Sequence, residues 1–185
     1  IFLASCLFLH SLMAAGPAWD EPEEFRKLRF QLEFAAKLLS GQFDLSYRSL
    51  PDDTAYYGIG SVLIPYALSY LVDIVWMKRS VHSYEHSYSV FLHILTFLCS
   101  LAAVAYTRRF VLLVTANRDA AFLAGITLLL TPFWMGYGFF DYKDVPVAAG
   151  VIAATFYAAA YARDGLPKTS LCFFAAIVFI GIQKL

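Results

Sequence analysis

The chain has 185 residues, 60% of them apolar and 15% charged, and its 14 basic side chains balance 14 acidic ones. Zero net charge removes the basic surface that nucleic acid requires. Apolar runs this long fit an integral membrane protein, since crossing a hydrocarbon core takes roughly 20 apolar residues.

Ile1 to Gly16 is almost uninterrupted hydrocarbon. It reads either as part of a first span or as a signal-peptide core with a cleavage site at Ala14-Ala15-Gly16. The chain begins without methionine in mid-run and stops at Leu185 inside an apolar segment, so the expectation is a piece of a longer protein. Next, Trp19-Asp20-Glu21-Pro22-Glu23-Glu24 places four carboxylates within five positions. Carboxylates are costly inside a bilayer, which sets Asp20 and Glu21 at its face. From Glu23 to Leu39 the period is helical, with Phe25, Leu28, Leu32, Ala36 and Leu39 on one stripe and Glu23/Lys27, Arg29/Glu33 and Glu33/Lys37 at ion-pair spacing on the other. Such a helix is too charged to span and suits the membrane surface. Ser40-Gly41 ends it, and Pro51-Asp52-Asp53 marks the turn of the following polar loop.

Ala55 to Met77 is apolar but carries Gly58, Gly60, Pro65 and Asp73; Lys78 to Ser87 is polar, with His82, Glu85 and His86. Spans are expected over 88–106, 120–140, 147–162 and 169–185. Arg108, Arg109 and Arg118 mark one short loop, and Arg163 with Lys168 another. The positive-inside rule puts both in the cytoplasm, and therefore Asp141-Tyr142-Lys143-Asp144 outside. If the first span, 1–16, runs outward, residues 17–87 form one large external loop, and Ala55 to Met77 is a re-entrant or interfacial helix within it. The fold class expected is thus an all-α polytopic membrane protein whose external first loop carries juxtamembrane helices. Asp20-Glu21 and Asp141-Lys143-Asp144 then share one membrane face.

Each candidate site residue has a structural reading beside the chemical one. Asp20 with Glu23 three residues on fits a capping box, with Pro22 in the first turn; its chemical reading is a general base or a ligand for a divalent cation. Asp144 is favoured electrostatically at a helix start, and Lys143 could meet a phosphate as a point charge beside that helix end. His82, Glu85 and His86 read as interfacial groups, because His-x-x-x-His alone is weak metal spacing. His10 and His93 read as satisfied core side chains. Cys6, Cys99 and Cys172 lie scattered in apolar runs without metal-ligand spacing.

The block Thr131-Pro132-Phe133, Gly136-Tyr137-Gly138 and Tyr142-Lys143-Asp144-Val145-Pro146-Val147-Ala148, together with Asp20-Glu21 after an apolar first span, resembles the N-terminal part of the C-fold (GT-C) glycosyltransferases. The likeness is to their protein-mannosyltransferase-like clan, which includes the dolichyl-phosphate-mannose-dependent protein mannosyltransferases. It covers essentially the whole chain. In that clan the block reads approximately Pro-Arg-Phe, Gly-His, then Asn-Pro-Lys-Asp-Ile-Pro-Phe-Ala; this chain differs at Tyr137 and at Asp141-Tyr142. The resemblance implies an external-face reaction that moves a sugar from a polyprenyl-phosphate carrier to an acceptor. It implies Asp20 as general base or acceptor-orienting acid, Glu21 as its neighbour, Asp144 as the acid of the second external loop, and Lys143 near the donor phosphate. A divalent cation stays open, because some relatives bind one and others do not. The partners implied are membrane lipid, the lipid-linked donor and an acceptor. The compartment implied is a bacterial inner or plasma membrane, or the endoplasmic reticulum in a eukaryote. The alternative is a transporter or channel using Glu21, Asp73, Asp141 and Asp144, and a third reading is a non-catalytic subunit with the same fold.

Overall fold

A computed structural model describes residues 60–76, 84–132 and 141–184, together with positions 32, 40, 41, 134, 136 and 138. Every regular element among the described residues is helical: α1 (Gly60–Tyr70), a π-helical stretch (Leu71–Trp76), α2 (Tyr84–Thr115), α3 (Arg118–Leu130), α4 (Asp144–Asp164) and α5 (Pro167–Lys184). Two compact units divide the chain, one comprising Ile1–Leu92 with Lys184–Leu185 and the other His93–Gln183. The expected first span, the acidic stretch and most of the amphipathic segment lie outside the described residues.

In the first unit, Ser40 and Gly41 form a turn, with Gly41 at φ 77°. Helix α1 carries Pro65 in its interior. Proline has no N–H to offer the preceding turn, and the Pro65 carbonyl accepts from the Ser69 hydroxyl at 2.6 Å. The helix then widens into the π-helical stretch, where Asp73 is fully buried. Val62, Pro65, Ser69 and Asp73 lie on the buried side, while Leu63, Ile64, Leu68 and Leu71 are exposed.

In the second unit the helices depart from the expected spans for identifiable reasons. Helix α2 does not stop at Arg108-Arg109 but runs to Thr115, because arginine and leucine are good helix formers and no Gly, Pro or capping residue interrupts 108–114. The connector shrinks to Ala116 and Asn117. Ala116 takes the left-handed conformation at φ 53° and donates its N–H to Leu112 O, while Asn117 caps α3 by accepting from the N–H groups of Asp119 and Ala120. Helix α3 ends at Leu130, ten residues short of the expected 120–140 span. The residue before a proline is driven out of the α region, and Thr131, ahead of Pro132, is extended at φ −61°, ψ 121°. Pro132, Trp134, Gly136 and Gly138 are helical again. At the far end, Gly165 closes α4 in the left-handed region, and Pro167 opens α5 two residues later.

Helices α4 and α5 meet through small residues. Ala153 and Ala154 of α4 and Ala176 of α5 form a buried cluster packed by Tyr106, Phe173 and Ile180. A Cβ on Gly150 would come within 2.7 Å of Ile180 Cγ1 and 3.1 Å of Phe179 Cδ1, so the α5 side chains lie directly on bare α4 backbone. Helix α2 joins them through Tyr106, whose hydroxyl is 3.0 Å from that of Tyr157 and whose ring meets Tyr157 edge-on at 5.6 Å. The outward faces are apolar: Leu123, Leu171, Phe174 and Val178 are all exposed. Among the described residues, two helices, Ser87–Thr115 within α2 and Asp144–Asp164, are long and apolar enough to cross a membrane.

Gly150→Leu should lower stability by about 1–3 kcal/mol through overpacking, even though replacing a helical glycine returns up to about 1 kcal/mol. Val151→Leu, at an exposed position, should change little. Thermal unfolding of the detergent-solubilised pair checks this; equal midpoints would mean the α4–α5 approach is looser than described.

Candidate functional site

The described part of the expected site is the turn that leads into α4. Asp141 Oδ1 accepts from the backbone N–H of Asp144 at 2.8 Å and of Lys143 at 3.3 Å. Its carbonyl accepts from Val145 N–H at 3.1 Å. Asp141 is therefore the residue that caps this helix end. Pro146 lacks the N–H that would reach back to Tyr142, which leaves Tyr142 and Lys143 as a turn and starts the regular helix at Asp144. Asp144 is thus the first residue of α4, not part of the preceding turn. There its charge faces the positive end of the helix, and its side chain is exposed. Lys143 is half-buried, with its ammonium 5.4 Å from the centre of the Tyr142 ring. Tyr142 is 2% exposed and anchors the turn.

Chemically this corner offers an exposed carboxylate and a held ammonium on adjacent residues, at the start of a helix. The second carboxylate, Asp141, already has its Oδ1 engaged by two backbone N–H groups. No group of three His, Cys, Asp or Glu side chains that could hold a metal occurs among the described residues. Asp20 and Glu21 lie outside the described residues, as do His10, His82 and Cys6. Glu85 and His86 belong by backbone to the first turn of α2.

Helix α2 contributes a feature that composition hid. Ser89, His93, Thr96 and Ser100 are all buried and follow each other at intervals of four, three and four, so four polar side chains of a span-length helix form one inward stripe. Gly138, from the Gly136-Tyr137-Gly138 block, meets that stripe: a Cβ there would sit 3.0 Å from Ser100 Oγ. His93 is buried and not without a partner, and Cys99 and Cys172 are free, half-buried thiols. Arg108, Arg109 and Arg118, which in the sequence mark only sidedness, line one groove; their spacing at the ends of successive helices is the signal for it.

Compared with protein-family models, curated proteins and solved structures, the chain matches none of them.

Asp141→Ala should cost about 1 kcal/mol, the typical loss of a helix cap, and should speed amide exchange at Lys143 and Asp144. Asp141→Asn, itself a good cap, should stay near wild type. Hydrogen exchange read by mass spectrometry over 141–150 distinguishes the two; identical exchange in both variants would remove the capping role.

Proposed function

We infer that the chain is the N-terminal part of a polytopic membrane glycosyltransferase of the C-fold class, moving a sugar from a polyprenyl-phosphate carrier to an acceptor on the external face. The observation that carries this reading is the 141–144 corner. Asp141 does the capping, and Asp144, exposed, adjoins Lys143 at the start of a helix of membrane-spanning length, within the residue block that resembles these enzymes. In this mechanism the bond from the anomeric carbon to the carrier phosphate breaks and a bond to the acceptor oxygen forms. The acceptor proton passes to a carboxylate, Asp20 in the first place, with Glu21 beside it. Asp144 orients the reactants from the second loop. Lys143 balances the charge that gathers on the departing phosphate. Where a divalent cation takes part, these carboxylates are its ligands. Membrane lipid and the lipid-linked donor are the partners of this reading, and an inner or plasma membrane, or the endoplasmic reticulum, its setting.

A second reading, a transporter or channel, draws on Asp73, an ionisable group fully buried in an apolar helical segment. The two differ in where charge matters. Transport requires the buried Asp73, and sugar transfer requires the acids at the membrane face.

In the full-length protein, Asp20→Ala and Asp144→Ala should each reduce transfer from a polyprenyl-phosphate sugar by about 10²–10⁴-fold while leaving membrane insertion intact. Unchanged transfer would take the residue out of the chemistry. A companion measurement labels Asp20→Cys and Lys143→Cys with an impermeant thiol reagent from outside. Both should react, and protection of one alone would break the shared-face topology.

A further inference from the structure

Where α2 ends and α3 begins, a groove of about 450 Å³ is lined by Ala105, Arg108, Arg109 and Leu112 from α2 and by Arg118 and Ala121 from α3. Among the described residues, three guanidinium-bearing side chains and no carboxylate line it. Positions 105, 108, 109 and 112 share one side of α2, and 118, 121 and 125 share one side of α3.

Two of the arginines are held in place rather than merely present. Arg108 Cγ and Cδ occupy the space that a Cβ on Gly125 would need, so its stem lies against the bare backbone of α3. Arg109 places its guanidinium 5.8 Å from the centre of the Tyr106 ring, and Tyr106 is itself tied to Tyr157 through their hydroxyls at 3.0 Å. Setting membrane sidedness requires only the number of positive charges in a short loop. Seating one stem on a glycine and one head on a ring goes beyond that requirement, and it pre-organises two planar forks whose geometry matches phosphate oxygens.

The walls between the arginines are Ala105, Leu112 and Ala121, and the neighbouring Leu101 and Phe122 are large, exposed and apolar. A small free anion would use the guanidinium groups alone. An anion carrying acyl chains would use both the charges and the apolar flanks. We propose that this groove binds the phosphodiester head group of an anionic glycerophospholipid, with its chains lying along the exposed sides of α2 and α3. The site does not rest on the glycosyltransferase reading, which assigns its donor phosphate to Lys143.

The test uses the full chain in non-ionic detergent, with native mass spectrometry counting retained dioleoyl-phosphatidylglycerol against dioleoyl-phosphatidylcholine. The anionic lipid is retained preferentially, and Arg108→Gln and Arg118→Gln each weaken retention about fivefold. Arg163→Gln leaves retention unchanged, because that guanidinium pairs with Asp164 at 2.8 Å at another corner. Arg109→Gln gives the same readout without disturbing the contact at Gly125, so a folding defect at position 108 does not blunt the experiment. Equal retention of the two lipids, or undiminished retention in the three groove variants, would overturn the site. Displacement of the lipid from wild-type protein by low-millimolar inorganic phosphate would overturn the lipid assignment in favour of a free phosphate.

Discussion

Contact between the helices of the His93–Gln183 unit depends on side chains that are missing. Gly150 lets Phe179 and Ile180 reach α4, Gly125 receives the stem of Arg108, and Gly138 comes against Ser100. When the outer faces of a bundle are leucine, phenylalanine and valine, and the surroundings are hydrocarbon, burying more hydrocarbon does not choose which faces meet. Close backbone approach and a few polar contacts decide instead. The alanines around Gly150 extend the same logic, since Ala153, Ala154 and Ala176 bring α4 and α5 together with little side chain between them. The Tyr106–Tyr157 hydroxyl pair then ties α2 to α4. Each of these contacts spares the helices a buried polar group left over, or a void left unfilled.

Much of this helical layout was legible in the residues, and the places where it was not share a cause. Apolar runs mark where helices lie but not where hydrogen bonding stops. The expected span over 120–140 overlooked that Pro132 acts on its predecessor, which leaves Thr131 extended and ends α3 early. Arg108-Arg109 looked like the end of a span, yet arginine is a good helix former and the helix continues beneath it to Thr115. The left-handed Ala116 that turns the chain has no composition signal at all, whereas Asn117 beside it is an ordinary cap that could have been read as one.

The candidate site shows the same division between residue type and geometry. Asp141 and Asp144 are equivalent as letters, each an acid near the same lysine. Position separates them: Asp141 accepts from the backbone at the start of its own helix, and Asp144 lies exposed in the first turn of that helix. Pro146 is what makes the distinction sharp, because it keeps Tyr142 and Lys143 out of the regular ladder and so gives the turn its own shape. The inward stripe of Ser89, His93, Thr96 and Ser100 was invisible for a different reason. Its members are diluted among apolar residues in the run, and only the helical period gathers them on one side.

Helix α4 supplies the last link between charge and position. Its 21 residues rise by about 31 Å at 1.5 Å each, close to the roughly 30 Å of a bilayer core. Asp144 begins it and Arg163 nearly ends it, with Lys168 just beyond, so its acidic and basic corners are separated by one hydrocarbon thickness. The α2–α3 corner carries Arg108, Arg109 and Arg118 against the single acid Asp119, a surplus of the same sign as the Arg163–Lys168 corner. A helix that crosses between such corners has a basic surplus at one end and, beside Lys143, the carboxylates of Asp141 and Asp144 at the other. In the proposed enzyme the reaction therefore belongs to the Asp144 end, and the arginine groove belongs to holding the protein in its lipid.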